Sequence, residues 1–328
     1  SKFLVFPAVF LFICVVAIPF AIGLLYSFTS WRGTYFANGT LMESFVGLDN
    51  YMKVFTNAQF GKSFLYTCCY TVLSVITINI CALLLALMVT SITKGAGLFR
   101  TVLFMPNMLG GLALGFIWQF IFQVVFTDIL FGPGGVLHIE GLRFMTQSPV
   151  KALFALLIMT TWQNAGYMMI IYVGGLNTIS GDLYEAASLD GANAFQRFRK
   201  ITLPLLMPSV TVVLFLTLSN SFKLLDQNVA LTDGEFGTRM LALQILRTLK
   251  DTSPPDYGAA QAQAVIFFVV VAVISLIQVY VTGKRRWKCN EIIVRKLYFL
   301  YAISKGHYIF FLIVLSIVTM LPLLFLSL

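Results

Sequence analysis

Seven stretches of this chain are apolar for about twenty residues or more, near residues 3–28, 64–90, 98–126, 150–176, 205–225, 259–281 and 308–328. That property removes most folds open to a chain of 328 residues. A helix needs about 20 apolar residues to cross the hydrocarbon core of a bilayer. Inside that core every backbone N–H and C=O needs an internal partner, and unbroken apolar runs supply one by coiling into α-helices. The chain is 59% hydrophobic and 11% charged, too little polar surface to clothe a soluble domain of this size. The expected fold class is therefore all-α: a polytopic membrane protein with six core spans and a seventh C-terminal helix.

Charge placement gives orientation. With the N-terminus inside, 13 of the 22 basic residues fall on the cytoplasmic side with only 4 of the 13 acidic ones, while the other side holds nine of each. Lys and Arg gather in short cytoplasmic loops, so the net charge of +9 reads as topology. The expected location is the cytoplasmic membrane, multi-pass, N-terminus inside. The basic residues are scattered without interleaved aromatics, which argues against nucleic acid as a partner. Cys14, Cys68, Cys69 and Cys81 lie in spans and Cys289 on the cytoplasmic side, leaving no external pair for a disulfide. The first apolar run is too long for a signal peptide and lacks a clear cleavage site.

A polar island separates the fourth and fifth spans. Asp182 can cap a helix whose first turn carries Glu185, where acids complement the positive helix start. Ala186 and Ala187 let that helix lie close on another surface, and Gly191 permits a sharp reversal. Phe195, Phe198 and Ile201 then recur at helical spacing beside Arg197, Arg199 and Lys200. Pro204 suits the start of a new helix. An amphipathic helix-turn-helix held out of the bilayer by two rigid spans can enter a groove on a soluble partner.

The order Glu185-Ala186-Ala187, three residues, Gly191, nine residues, Ile201, one residue, Leu203-Pro204 resembles the EAA coupling loop (182–204) of binding-protein-dependent ABC importer permeases. Asp190-Gly191-Ala192 with Phe195 is similar to their carbohydrate branch of the maltose, or MalF-like, type. So is Phe222-Lys223-Leu224-Leu225-Asp226 with Leu231-Thr232-Asp233-Gly234. Phe99-Arg100, Pro106, Gly115 and Trp118 fall in the family's order. The likeness covers roughly 3–287 and departs at 233–237, where the family often has Gly-Gly-Pro.

The resemblance implies a type I ABC importer permease fold over residues 1–287. Residues 288–328 would be a basic linker and an extra helix, either native or the fused, truncated start of the partner permease. Implied partners are a second homologous permease subunit, two cytoplasmic ABC ATPase subunits and an extracytoplasmic solute-binding protein. ATP and Mg would sit on the ATPases, leaving this chain without cofactor or metal and not itself an enzyme. Glu185, Ala186, Ala187, Asp190, Gly191, Phe195, Arg197, Ile201, Leu203 and Pro204 would carry the coupling to ATP hydrolysis.

Polar groups inside spans are costly and mark transport paths. The fourth span clusters Thr160, Gln163, Asn164 and Tyr167, with Thr160, Gln163 and Tyr167 on one helical face. The fifth offers Thr217, Asn220, Ser221 and Lys223, with Asp226 at its outer end spaced to pair with Lys223. Trp118 and Gln119 of the third span complete the candidate path, and the resemblance places that path on the same fourth and fifth helices. Amides and hydroxyls that both donate and accept, beside an aromatic face, suit a neutral polyhydroxylated ligand, a sugar or oligosaccharide. Hydrogen bonding between helices is the competing use for the same groups. Few buried acids argue against a polyamine, and few buried arginines against a glycerol-phosphate type of ester. A stand-alone secondary transporter would need a mid-span carboxylate, and the predicted spans contain none. No Gly-rich phosphate loop or Ser/His/Asp arrangement is present, and His138 reads as a solvated loop residue.

Overall fold

The computed structural model describes residues 2–290 apart from Asn38, Thr93 and His138. His138, the linker beyond Asn290 and the seventh apolar run thus lie outside the described residues. The first apolar run coils into α1 (Lys2–Phe12), a wide π-helical turn at Ile13–Ala17, and α2 (Ile18–Tyr26). A loop carrying α3 (Asp49–Thr56) leads to α4 (Ala58–Ser91), started by the Asn57 side chain, which accepts from the Gln59 and Phe60 amides. Then come α5 (Ala96–Phe104), α6 (Gly111–Phe120) and α7 (Pro149–Leu176), followed by the short α8 (Gly181–Leu189) and α9 (Ala194–Arg197). The remaining helices are α10 (Leu203–Phe222), α11 (Asp226–Thr232), α12 (Leu241–Lys250) and α13 (Tyr257–Asn290). Six helices among the described residues are long and apolar enough to cross a membrane, one in each of the six core regions read from sequence.

The third apolar run differs from its expected form. Residues 98–126 read as one kinked span, but the backbone breaks: a 3₁₀ turn at Met105–Met108 contains Pro106, and Leu109 and Gly110 are extended. Pro106 lacks the N–H that a continuous helix would use. The crossing helix is therefore Gly111–Leu130, α6 prolonged by π-helical turns, and α5 is a separate piece leaning on α7.

Glycine sets the closest helix approaches. A Cβ on Gly166 of α7 would overlap the Leu103 carbonyl of α5, and one on Gly175 would overlap the Ser209 side chain of α10. Gly111 and Gly115, four apart on α6, face Asp226, Gln227 and Ala230 of α11; a Cβ on Gly115 would stand 2.5 Å from that of Ala230. Small residues at this spacing let membrane helices pack by backbone contact. α7 is the central element, with Ala152, Ala155, Leu156, Met159, Met168 and Met169 all buried.

On the side of the membrane away from α8 and α9, Asn50 donates to the Ser27 and Thr29 carbonyls at 2.9 and 2.8 Å. Arg32 pairs with Asp256 at 3.3 Å, and Arg247 pairs with Asp233. The segment 233–237, where the sequence departs from the family pattern, is a tight turn with Asp233, Gly234, Phe236 and Gly237 all at positive φ.

Candidate functional site

Two regions gather the residues singled out by sequence. The first is the α8–α9 hairpin. Ser180, not Asp182, is the N-cap, accepting from the Asp182 amide at 3.3 Å; Asp182 sits in the first turn and Glu185 one turn later. The reason is register: the helix begins at Gly181, so the side chain one position earlier meets the free amides. α8 closes on Gly191 at φ +76, with the Ala192 amide on the Ala187 carbonyl at 2.9 Å and the Gly191 amide on that of Ser188 at 3.1 Å. This is a Schellman closure, which needs a left-handed residue at the reversal.

Asn193 and Gln196 then form a reciprocal capping box that starts α9. Arg197 donates to the Ser188 hydroxyl at 2.9 Å and Tyr184 meets Thr202 at 2.9 Å, so the two arms are tied at tip and base. Glu185, Ala186, Asp190 and Gly191 are exposed, and Leu189 and Phe195 present apolar side chains that are 90% and 67% exposed. Ala187, Arg197, Ile201, Leu203 and Pro204 are half-buried.

Pro204 does not begin a helix. The backbone is helical without interruption from Ala194 to Phe222, and the turns at Phe198–Thr202 are π-helical, with the Leu203 amide bonded to the Phe198 carbonyl. The wider turn passes through a region where Pro204 supplies no N–H, so hairpin and span are one element.

The second region is a cavity of about 180 Å³ between α4, α7, α10 and α11. Gln163, Asn164, Thr217, Asn220, Ser221 and Lys223 line it, together with Tyr70, Gln227, Ile78, Met168 and Leu224. Several of these groups already hold helices together. Gln163 donates to the Leu109 carbonyl at 3.2 Å and accepts from Gln227 at 3.0 Å, while Ser221 meets Ser74 of α4 at 2.6 Å. Thr217 accepts from Asn79 of α4 at 3.0 Å, and Asn79 accepts from Tyr172 at 2.9 Å. Lys223 directly follows α10, and two further non-helical residues, Leu224 and Leu225, separate it from α11.

Five candidate path residues do not line this cavity. Thr160 is buried and receives the Tyr70 hydroxyl at 2.9 Å, and Tyr167 packs near Phe104 with ring centroids 6.3 Å apart. Trp118 stacks edge-on with Trp162 at 5.8 Å, and Gln119 donates to the Leu231 carbonyl at 3.4 Å. Asp226 is exposed in the first turn of α11 and makes no ion pair with Lys223, because the chain changes direction between them. Sequence reading missed Gln227, which follows the end of the fifth span, and Tyr70, which sits in the second apolar run.

Residues 93–287 match the model of a family described as the binding-protein-dependent transport system inner membrane component. The chain belongs to this family. The permease is 43% identical over 281 residues to the probable starch degradation products transport system permease protein AmyD of Thermoanaerobacterium thermosulfurigenes, covering 85% of this chain and 92% of AmyD. It is 30% identical to the multiple sugar-binding transport system permease protein MsmF of Streptococcus mutans, over 81% of this chain and 89% of MsmF. It is also 30% identical to the trehalose/maltose transport system permease protein MalF of Thermococcus litoralis, over 74% and 82% of the two chains. Its fold matches a bacterial ABC transporter crystallised as an importer of the acidic polysaccharide alginate, with TM-score 0.69, 21% identity and coverage of 86% of this chain and 94% of that one.

Proposed function

We propose that the permease moves a sugar or oligosaccharide into the cytoplasm by alternating access, as one half of a translocation pathway whose ATP hydrolysis resides in partner ATPases. The observation that carries this reading is the cavity lining. Asn164, Asn220, Thr217, Ser221 and Gln227 offer amides and hydroxyls beside the Tyr70 ring, with no carboxylate among the lining residues. Such a set exchanges hydrogen bonds with hydroxyls in either direction. The relatives' names, which speak of starch degradation products, multiple sugars and trehalose/maltose, support it. A second permease subunit, two ATPases bearing ATP and Mg, and a binding protein that delivers the solute complete the assembly; the N-terminus lies inside. The exposed α8–α9 hairpin is the surface the ATPases engage.

One observation favours another solute. Lys223 brings an ammonium into the cavity without a carboxylate partner, which suits a phosphate ester better than a polyamine. Uptake assays separate the two: competition by neutral oligosaccharides supports the sugar, and competition only by sugar or glycerol phosphates replaces it. Gentle extraction of tagged permease is expected to recover a second permease, an ATPase and a binding protein; the chain alone, stable and monodisperse, would overturn the importer assembly.

The Asn220 side chain makes no hydrogen bond with the described residues, so its amide is free for solute. Asn220→Leu is expected to raise the KM for uptake by about tenfold, the equivalent of one hydrogen bond. An unchanged KM would remove Asn220 from the path.

A further inference from the structure

The helix α3 between the first two spans carries three distinct faces. At about 100° per residue, Leu48, Met52 and Phe55 fall in one narrow sector, Asp49, Lys53 and Thr56 in a second, and Asn50 and Val54 in a third. The third sector is buried against the protein, Asn50 through its bonds to Ser27 and Thr29, and Val54 in a core shared with α12 and α13. The first sector is the surprise: Leu48, Met52 and Phe55 are 65%, 64% and 72% exposed.

We propose that α3 is an interfacial helix whose Leu48–Met52–Phe55 face lies in the headgroup–acyl boundary of the bilayer leaflet opposite the α8–α9 hairpin. Its height is fixed by the chain. The first span ends at Tyr26, and Asn50 grips carbonyls one and three residues beyond it. The second span starts at Ala58, with only Asn57 between it and α3. The apolar run of that second helix begins near residue 64, about 9 Å further along, so α3 is held just outside the hydrocarbon, in the boundary region.

Both spans that flank the helix also carry exposed apolar side chains near their outer ends. Leu24 and Leu25 at the end of the first span and Leu65 on the second are exposed, as lipid-facing side chains of spans must be. Beside the apolar sector, Asp49, Lys53 and Thr56 supply the polar face that an in-plane helix turns to water. Phe45, 59% exposed on the preceding loop, adds a large apolar side chain of the kind an interfacial segment buries. The lipid contact would fix the outer end of α13, since α3 packs on it.

The test uses the 328-residue chain with Cys14, Cys68, Cys69, Cys81 and Cys289 replaced by alanine, reconstituted in phosphatidylethanolamine–phosphatidylglycerol vesicles. Single cysteines replace Asp49, Met52, Lys53 or Phe55 and carry an environment-sensitive fluorophore. The readout is the ratio of quenching by lipid-borne nitroxide near the headgroups to quenching by aqueous iodide. The expected result is a ratio above one with blue-shifted emission at 52 and 55, and below one at 49 and 53. Equal iodide quenching at all four positions would overturn the proposal. So would shielding of 52 and 55 that appears only when a solute-binding protein is added, since the face would then be a protein-docking surface. A label at Val72, exposed on α4, reports lipid in any correctly inserted chain and identifies variants that have misfolded.

Discussion

Gly166→Ala is expected to loosen the seat of α5 on α7 and to lower the thermal midpoint of the detergent-extracted permease. The added methyl would occupy the position of the Leu103 carbonyl oxygen, which belongs to backbone and cannot rotate away. Over-packing of this kind costs about 1–3 kcal/mol, a fall on the order of 5 °C in a chain of this size. Gly174→Ala is the matched control. It lies on the same helix, a Cβ there meets nothing within 4 Å, and alanine favours a helix over glycine by about 1 kcal/mol. The control should leave the midpoint unchanged or raised. If both variants melt together, the close approach of α5 and α7 is not what holds them.

Variants of the hairpin are expected to have the opposite profile, with the fold intact and uptake lost. Glu185 is exposed and bonded to no described residue, so Glu185→Ala removes a charge the permease itself does not use. One charged contact to a partner is worth about 1.5–3 kcal/mol, or roughly tenfold to hundredfold in coupling. Gly191→Asp acts differently: a Cβ there has open space, but φ +76 costs a side chain about 1–2 kcal/mol, and the new carboxylate would stand next to Asp190 at the reversal. The reversal and its two closing bonds would shift, misplacing α9 relative to α8. Both variants should reach the membrane at normal levels and assemble, with ATP hydrolysis continuing while uptake falls. Undiminished uptake in both would sink the coupling role of the hairpin.

Much of this was legible in sequence because the bilayer leaves a chain so few choices. Apolar length alone placed the six candidate spans, although it began the third before the break at Pro106, and Gly191 with its flanking spacing located the hairpin. What stayed hidden depended on register or on partners distant in sequence. Asp182 and Ser180 are both competent caps, and only the helix start at Gly181 decides between them. Pro204 carries a strong local signal for a helix beginning, yet π turns absorb its missing N–H and the helix continues. Lys223 and Asp226 have helical pairing distance, but the helix ends at Phe222, so the spacing no longer describes their geometry. Tyr70, Asn79 and Gln227 join the polar cluster from α4 and α11, elements whose facing no pattern in the fifth span could reveal.

The unbroken passage from hairpin to cavity makes α10 a lever arm. Its 20 residues span about 30 Å, so a tilt of roughly 5° at the hairpin end carries the far end by about 2–3 Å. That stroke equals the reach of a hydrogen bond. Ser221 on Ser74 at 2.6 Å and Thr217 on Asn79 at 3.0 Å, which latch α10 to α4 beside the cavity, would both be released by it. The proposed solute path would then open without a large rearrangement at its own position, through release of two side-chain latches at the end of one continuous helix.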